Sequence, residues 1–174
     1  HGGFPAAGFG WGEAAFDICT TQQYSCIVIP PFKPDTGNLP PGIHVADWGE
    51  FTARYGTTPH RLRLLGGLKA APDALRAAGC RRVYIDGSFV TAKQVPGDFD
   101  GCWDVAGVDP SLLDPVLLMF ANRRAAQKAK FGGELFLADA AADPAGTRFL
   151  AFFQRDKQTG QPKGIVAIEL GVLP

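Results

Sequence analysis

The chain predicts an α/β fold of the α+β kind, a mixed β-sheet with helices packed on one face. Three observations carry that prediction. Leu62, Leu65, Leu68, Ala71 and Leu75 recur at helical spacing. The runs Arg82–Ile85 and Gly164–Leu170 are rich in β-branched, aromatic and other apolar residues, as buried strands are. The order along the chain is helix, strand, turn, strand, helix, then three strands, which a layered α/β architecture accommodates. The 174 residues, 46% hydrophobic and 20% charged, suit one globular domain with one core.

Each element has its own local reason. Residues 1–28 are rich in Gly and Ala and read as a flexible or non-native extension, leaving 29–174 as a single domain. Residues 29–42 carry five prolines and two glycines and read as an irregular, extended arm. Residues 47–55 form a short helix capped by Asp47. Thr58 caps the next helix, Pro72 is expected to kink or split it, and Gly79 ends it. The strand 82–85 follows. Pro96-Gly97 signals a turn before a strand that carries Asp98 and Asp100. A helix over roughly Pro110–Lys130 presents Leu113, Val116, Leu117 and Phe120. Glu134–Asp139 reads as a strand, Asp143–Gly146 as a turn, and Arg148–Gln154 with Gly164–Leu170 as a C-terminal β-hairpin.

The chemistry concentrates where the strand 82–85 ends. Gly87-Ser88 is followed, after nine residues, by Asp98-Phe99-Asp100. In a strand, residues two apart project from one face, so Asp98 and Asp100 present two carboxylates side by side. Such a pair repels unless a cation lies between them, and Mg²⁺ takes one or two carboxylates while leaving positions for water and phosphate oxygens. Gly87, without a Cβ, lets a phosphate approach the backbone. Ser88 adds a hydroxyl and an N–H, and Lys93 a compact positive charge. These residues predict a site for a nucleoside triphosphate and a metal. Asp86 reads equally as a turn former and as a site carboxylate.

The pattern Gly87-Ser88 with Asp98-Phe99-Asp100 resembles the polymerase β-like nucleotidyltransferase superfamily, although Asp86 stands where that superfamily usually has an apolar or aromatic residue. The longer string from Ile85 to Asp104, together with segments from about Ile29 to the C-terminal KGIVAIEL, is similar to an uncharacterised bacterial family of nucleotidyltransferase-like proteins. The resemblance implies a polymerase β-like fold and Mg²⁺-dependent transfer of a nucleoside monophosphate from an NTP to a hydroxyl acceptor, with one or two Mg²⁺ ions. It implies Asp98 and Asp100 as metal ligands and a third carboxylate on a later strand. Glu134 fits that position first and Asp139 second, with no third ligand as the remaining alternative. Gly87, Ser88 and Lys93 would bind the nucleotide. The acceptor, whether protein, RNA end or small molecule, is left open. The rival expectation is a catalytically inactive nucleotide-binding module acting with a protein partner in a toxin–antitoxin or defence pair.

Several classes are disfavoured. Zero formal net charge and a pI near 7 argue against broad nucleic-acid binding. Cys19, Cys26, Cys80 and Cys102 lack zinc-site spacing, and a reduced, cytoplasmic setting is the default expectation; Cys19 and Cys26 could bridge, whereas Cys80 and Cys102 should pack as small apolar residues. No apolar run is long enough for a bilayer span. His44 reads as structural or exposed. Arg61 and Arg63 read as a solvated helix face, with phosphate contact as the alternative. The same pair of readings applies to the basic stretch Arg123, Arg124, Lys128 and Lys130. Lys163 is a minor candidate for phosphate contact.

Overall fold

Capping side chains set where the first helices begin. In the computed structural model, which describes residues 29–172, strand β1 (Gly42–Ala46) leads into α1 (Trp48–Tyr55). Asp47 accepts a hydrogen bond from the Glu50 N–H at 2.7 Å and opens α1. Thr58 accepts from the Arg61 N–H at 3.2 Å and opens α2 (Pro59–Ala77). Each cap satisfies an N–H that has no partner within its helix. Contrary to the expected split, α2 runs on through the buried Pro72 as one element. Gly79 follows it at φ +91°. The proposed extension 1–28, with Cys19 and Cys26, lies outside the described residues.

Among the described residues, five strands make one mixed sheet in the order β1-β5-β2-β3-β4. Besides β1 these are β2 (Arg82–Asp86), β3 (Phe99–Trp103), β4 (Gly133–Leu137) and β5 (Gly164–Glu169). β2 runs antiparallel to both of its neighbours, while β1–β5 and β3–β4 are parallel pairs. A parallel pair needs a crossover, and the segment 104–132 with α3 (Ala121–Phe131) supplies the one from β3 to β4. On the edge strand β4, Gln127 of α3 accepts from the Leu135 N–H at 2.8 Å and donates to the Leu117 carbonyl at 3.0 Å, so this buried amide is satisfied in both senses.

Strand alternation divides the core into two faces. Val83, Ile85, Phe99, Trp103, Leu135, Val166 and Ile168 pack with Phe51, Tyr55, Leu65, Leu68 and Leu75 of α1 and α2. On the opposite face Tyr84, Cys102, Ile165 and Ala167 pack with Phe153 and its neighbours. The described cysteines, Cys80 and Cys102, are buried free thiols. Among the described residues, no helix is long and apolar enough to cross a membrane.

Two expectations are corrected and one unassigned segment gains a strand. Arg148–Gln154 is not a strand but contains a short helix, α4 (Phe149–Phe153). Five successive apolar residues satisfy either period, and Phe149, Phe152 and Phe153 together cover the second face through Phe136. The C-terminal hairpin is therefore absent, and a helix lies on each face of the sheet. The single helix over 110–130 is a 3₁₀ turn (Pro115–Leu118) followed by α3. Asp114 draws the Val116 N–H into a local turn at 3.0 Å, and Asn122, Arg123 and Arg124 hold left-handed φ of 49–53° at the start of α3. Finally, residues 43–46, unassigned from sequence, form β1 against β5.

Candidate functional site

Alternation also decides what meets at one end of the second face. Asp86 shares the parity of Tyr84, Asp100 that of Cys102, and Glu134 that of Phe136. Register places Asp86 opposite Asp100 and Asp100 opposite Glu134. Three carboxylates therefore stand abreast on β2, β3 and β4, with adjacent strands about 4.8 Å apart. Asp98 comes just ahead of β3.

The cluster is electrostatically strained and partly compensated. Burial first, then Asp98, Asp86 and Glu134, push the Asp100 carboxyl up to about 6, against the pull of Lys157. Burial also raises Asp86, which is 2% exposed, while Lys163 opposes it through an ion pair at 2.5 Å. Lys128 of α3 lies 3.1 Å from Glu134 and 3.5 Å from Asp98, and the Glu134 contact raises the pKa of its ammonium. The basic end of α3 thus has internal partners: Lys130 pairs with Asp114, and the Arg124 guanidinium lies 3.7 Å from the centre of the Phe136 ring.

The glycine bend abuts this row. Gly87 sits at φ +81°, and a Cβ there would fall 2.9 Å from Asp100 Oδ2 and 3.0 Å from the Asp100 nitrogen. Glycine is thus required both by its backbone conformation and by the closeness of Asp100. Ser88 is half-buried and opens a 3₁₀ turn in which its carbonyl accepts from Thr91 Oγ1 at 2.8 Å.

Not every sequence candidate joins the cluster. The structure brings together Gly87, Asp98, Asp100 and Glu134, with Ser88 next in the chain. Lys93 is exposed and lines a separate cavity with Arg54, Tyr55 and Arg61. Asp139 lies beyond the other end of β4, exposed and paired with Arg148 at 2.8 Å. His44 is structural, donating to the Pro40 carbonyl at 2.8 Å. Arg61 is not part of a solvated face: it is 5% exposed and donates to three backbone carbonyls.

Sequence reasoning left Asp86 undecided, gave Lys128 and Lys163 little weight and did not single out Lys157. The available signal was an acid closing an apolar strand, a costly placement without a buried cation. The donor set Asp98, Asp100 and Glu134 is all oxygen, in kind what a hard divalent cation takes. No group of three or more His, Cys, Asp or Glu among the described residues is gathered for a metal, and the Lys128 ammonium stands at two of these acids, so a bound cation would displace it.

No curated protein and no solved structure matches the chain. One family model matches residues 30–169, which takes in every member of the carboxylate row and its lysines. The chain belongs to the family of unknown function DUF6932.

Proposed function

We propose that this protein transfers a nucleoside monophosphate from a nucleoside triphosphate to a hydroxyl acceptor in a Mg²⁺-dependent reaction, on a polymerase β-like fold. The observation that carries this reading is the in-register row of Asp100 and Glu134, with Asp98 beside it, against the Gly87 bend. Asp98, Asp100 and Glu134 would hold the metal. When bound, Mg²⁺ neutralises the triphosphate and eases deprotonation of the acceptor hydroxyl. A phosphate on the metal would meet the N–H and hydroxyl of Ser88, next to the Gly87 bend. Lys128, released from Asp98 and Glu134, offers its charge to the phosphates. Asp100 is ionised above about pH 6 and so is ready as a ligand at neutral pH. Catalysis on this plan is positioning and charge stabilisation.

The test is incubation with each labelled nucleoside triphosphate and Mg²⁺. Transfer to protein, RNA or small-molecule acceptors supports the reading, and Asp98→Ala with Asp100→Ala abolishes it while leaving the circular dichroism spectrum intact. Transfer that survives both substitutions overturns the assignment. A second reading, a nucleotide-binding module that works through a protein partner in a toxin–antitoxin or defence pair, draws on Lys128, which already neutralises two of the acids. Saturable nucleotide binding without transfer to any acceptor class favours it.

A further inference from the structure

A cavity of about 190 Å³ opens between the end of α1, the start of α2 and the loop joining β2 to β3, lined by Phe32, Arg54, Tyr55, Arg61, Thr91 and Lys93 among others. Three of these side chains are cationic. Among the described residues no carboxylate pairs with any of them. Arg61 is fixed by its bonds to the carbonyls of Phe89 (2.8 Å), Thr91 (3.1 Å) and Lys93 (2.6 Å). Neutral oxygens satisfy its N–H groups but leave its charge unmatched, and burial lowers its pKa accordingly. Arg54 is stacked 4.4 Å from the Phe32 ring centre.

Among the described residues, two buried polar atoms at this cavity have no hydrogen-bond partner: the Tyr55 hydroxyl and Arg54 Nε. Tyr55 is 1% exposed, and both guanidiniums act on its hydroxyl electrostatically. Glu50 also acts on Tyr55, but its carboxylate accepts the Ile29 N–H. Buried donors are almost always satisfied, so orphaned donors grouped with unmatched positive charge describe a place for an acceptor that carries negative charge.

We infer that this cavity is a binding site for a small oxyanion, the phosphate or carboxylate group of a small molecule, held by Arg54, Lys93 and the Tyr55 hydroxyl beside the fixed charge of Arg61. The site is separate from the carboxylate row and needs neither metal nor nucleotide. Because Arg61 holds the loop backbone at Phe89, Thr91 and Lys93, the anion sits against the segment that runs from the Gly87 bend to Asp98.

Isothermal titration of the full chain with inorganic phosphate and, separately, with succinate tests this, at an ionic strength held constant with chloride and with no Mg²⁺ or nucleotide present. Saturable one-to-one binding of either probe is expected, and which probe binds identifies the anion's source. Arg54→Met and Lys93→Met each weaken it by about tenfold or more, as loss of a charge-assisted hydrogen bond does. Tyr55→Phe removes no hydrogen bond from the free protein, so its melting temperature stays the same or rises, while anion affinity falls. Absence of saturable binding with both probes, or affinity that survives the Arg54→Met, Lys93→Met double variant, overturns the inference.

Discussion

Asp100 is the residue on which both the stability and the chemistry of the site turn. Its carboxyl titrates at about 6 in the folded protein against an ordinary value of 3.8. Between those values the folded state keeps a proton that the unfolded chain has released, so stability falls as pH rises through the window, and the full penalty is present above about pH 6. Asp100→Asn removes the penalty without changing the shape of the side chain. We expect it to stabilise the fold by on the order of 2 kcal/mol at about pH 8 and to be near neutral at about pH 4. Urea denaturation of both proteins at the two pH values checks this. A gain of equal size at both would show that ionisation is not its cause. The same substitution removes a proposed metal ligand, so stability and transfer are expected to move in opposite directions, as they do where a site is built at the expense of the fold.

At the scale of elements, legibility followed local chemistry. Asp47 and Thr58 announce α1 and α2 because a cap is a bond between near neighbours in the chain. The run Phe149–Phe153 announces nothing, since its conformation is settled by Phe136 and the sheet face it covers. The pair Gly66-Gly67 in the middle of α2 is a case where two identical letters mean different things. Among the described residues, a Cβ on Gly66 meets nothing within 4 Å, whereas one on Gly67 would clash with the Phe131 carbonyl oxygen at the end of α3. Helix propensity alone favours alanine at both positions by about 1 kcal/mol. We therefore expect Gly66→Ala to be neutral or stabilising and Gly67→Ala to destabilise by roughly 1–3 kcal/mol, as overpacking does. Equilibrium unfolding of the two variants decides the matter. Equal effects would mean that α2 and α3 do not approach as closely as described.

At the scale of the whole molecule, the strand order is the feature that the sequence conceals, because pairing partners are far apart in the chain and no local signal names them. The hairpin expected at the C-terminus would have paired 148–154 with β5. Instead β5 inserts between β1 and β2, and that insertion brings Lys163 against Asp86, 77 positions away in the chain. The half of the candidate site that was legible, Gly87 to Asp100, lies within one hairpin. Glu134 was named from the resemblance; what was not legible, the pairing of Asp86 with Lys163 and of Lys128 with Glu134, depends on how separate elements dock. The Asp86–Lys163 pair, with side chains 3% and 11% exposed, makes that docking measurable. Lys163→Met leaves a buried carboxylate without its cation and should cost about 3–5 kcal/mol, most of it recovered when Asp86→Leu is added, because apolar replacement of both partners removes the uncompensated charge. A denaturation-based double-mutant cycle reads the difference. If Lys163→Met costs no more than an ordinary surface change, Lys163 does not hold a charged Asp86 at the end of β2, and the row of acids lacks the buried cation described for it.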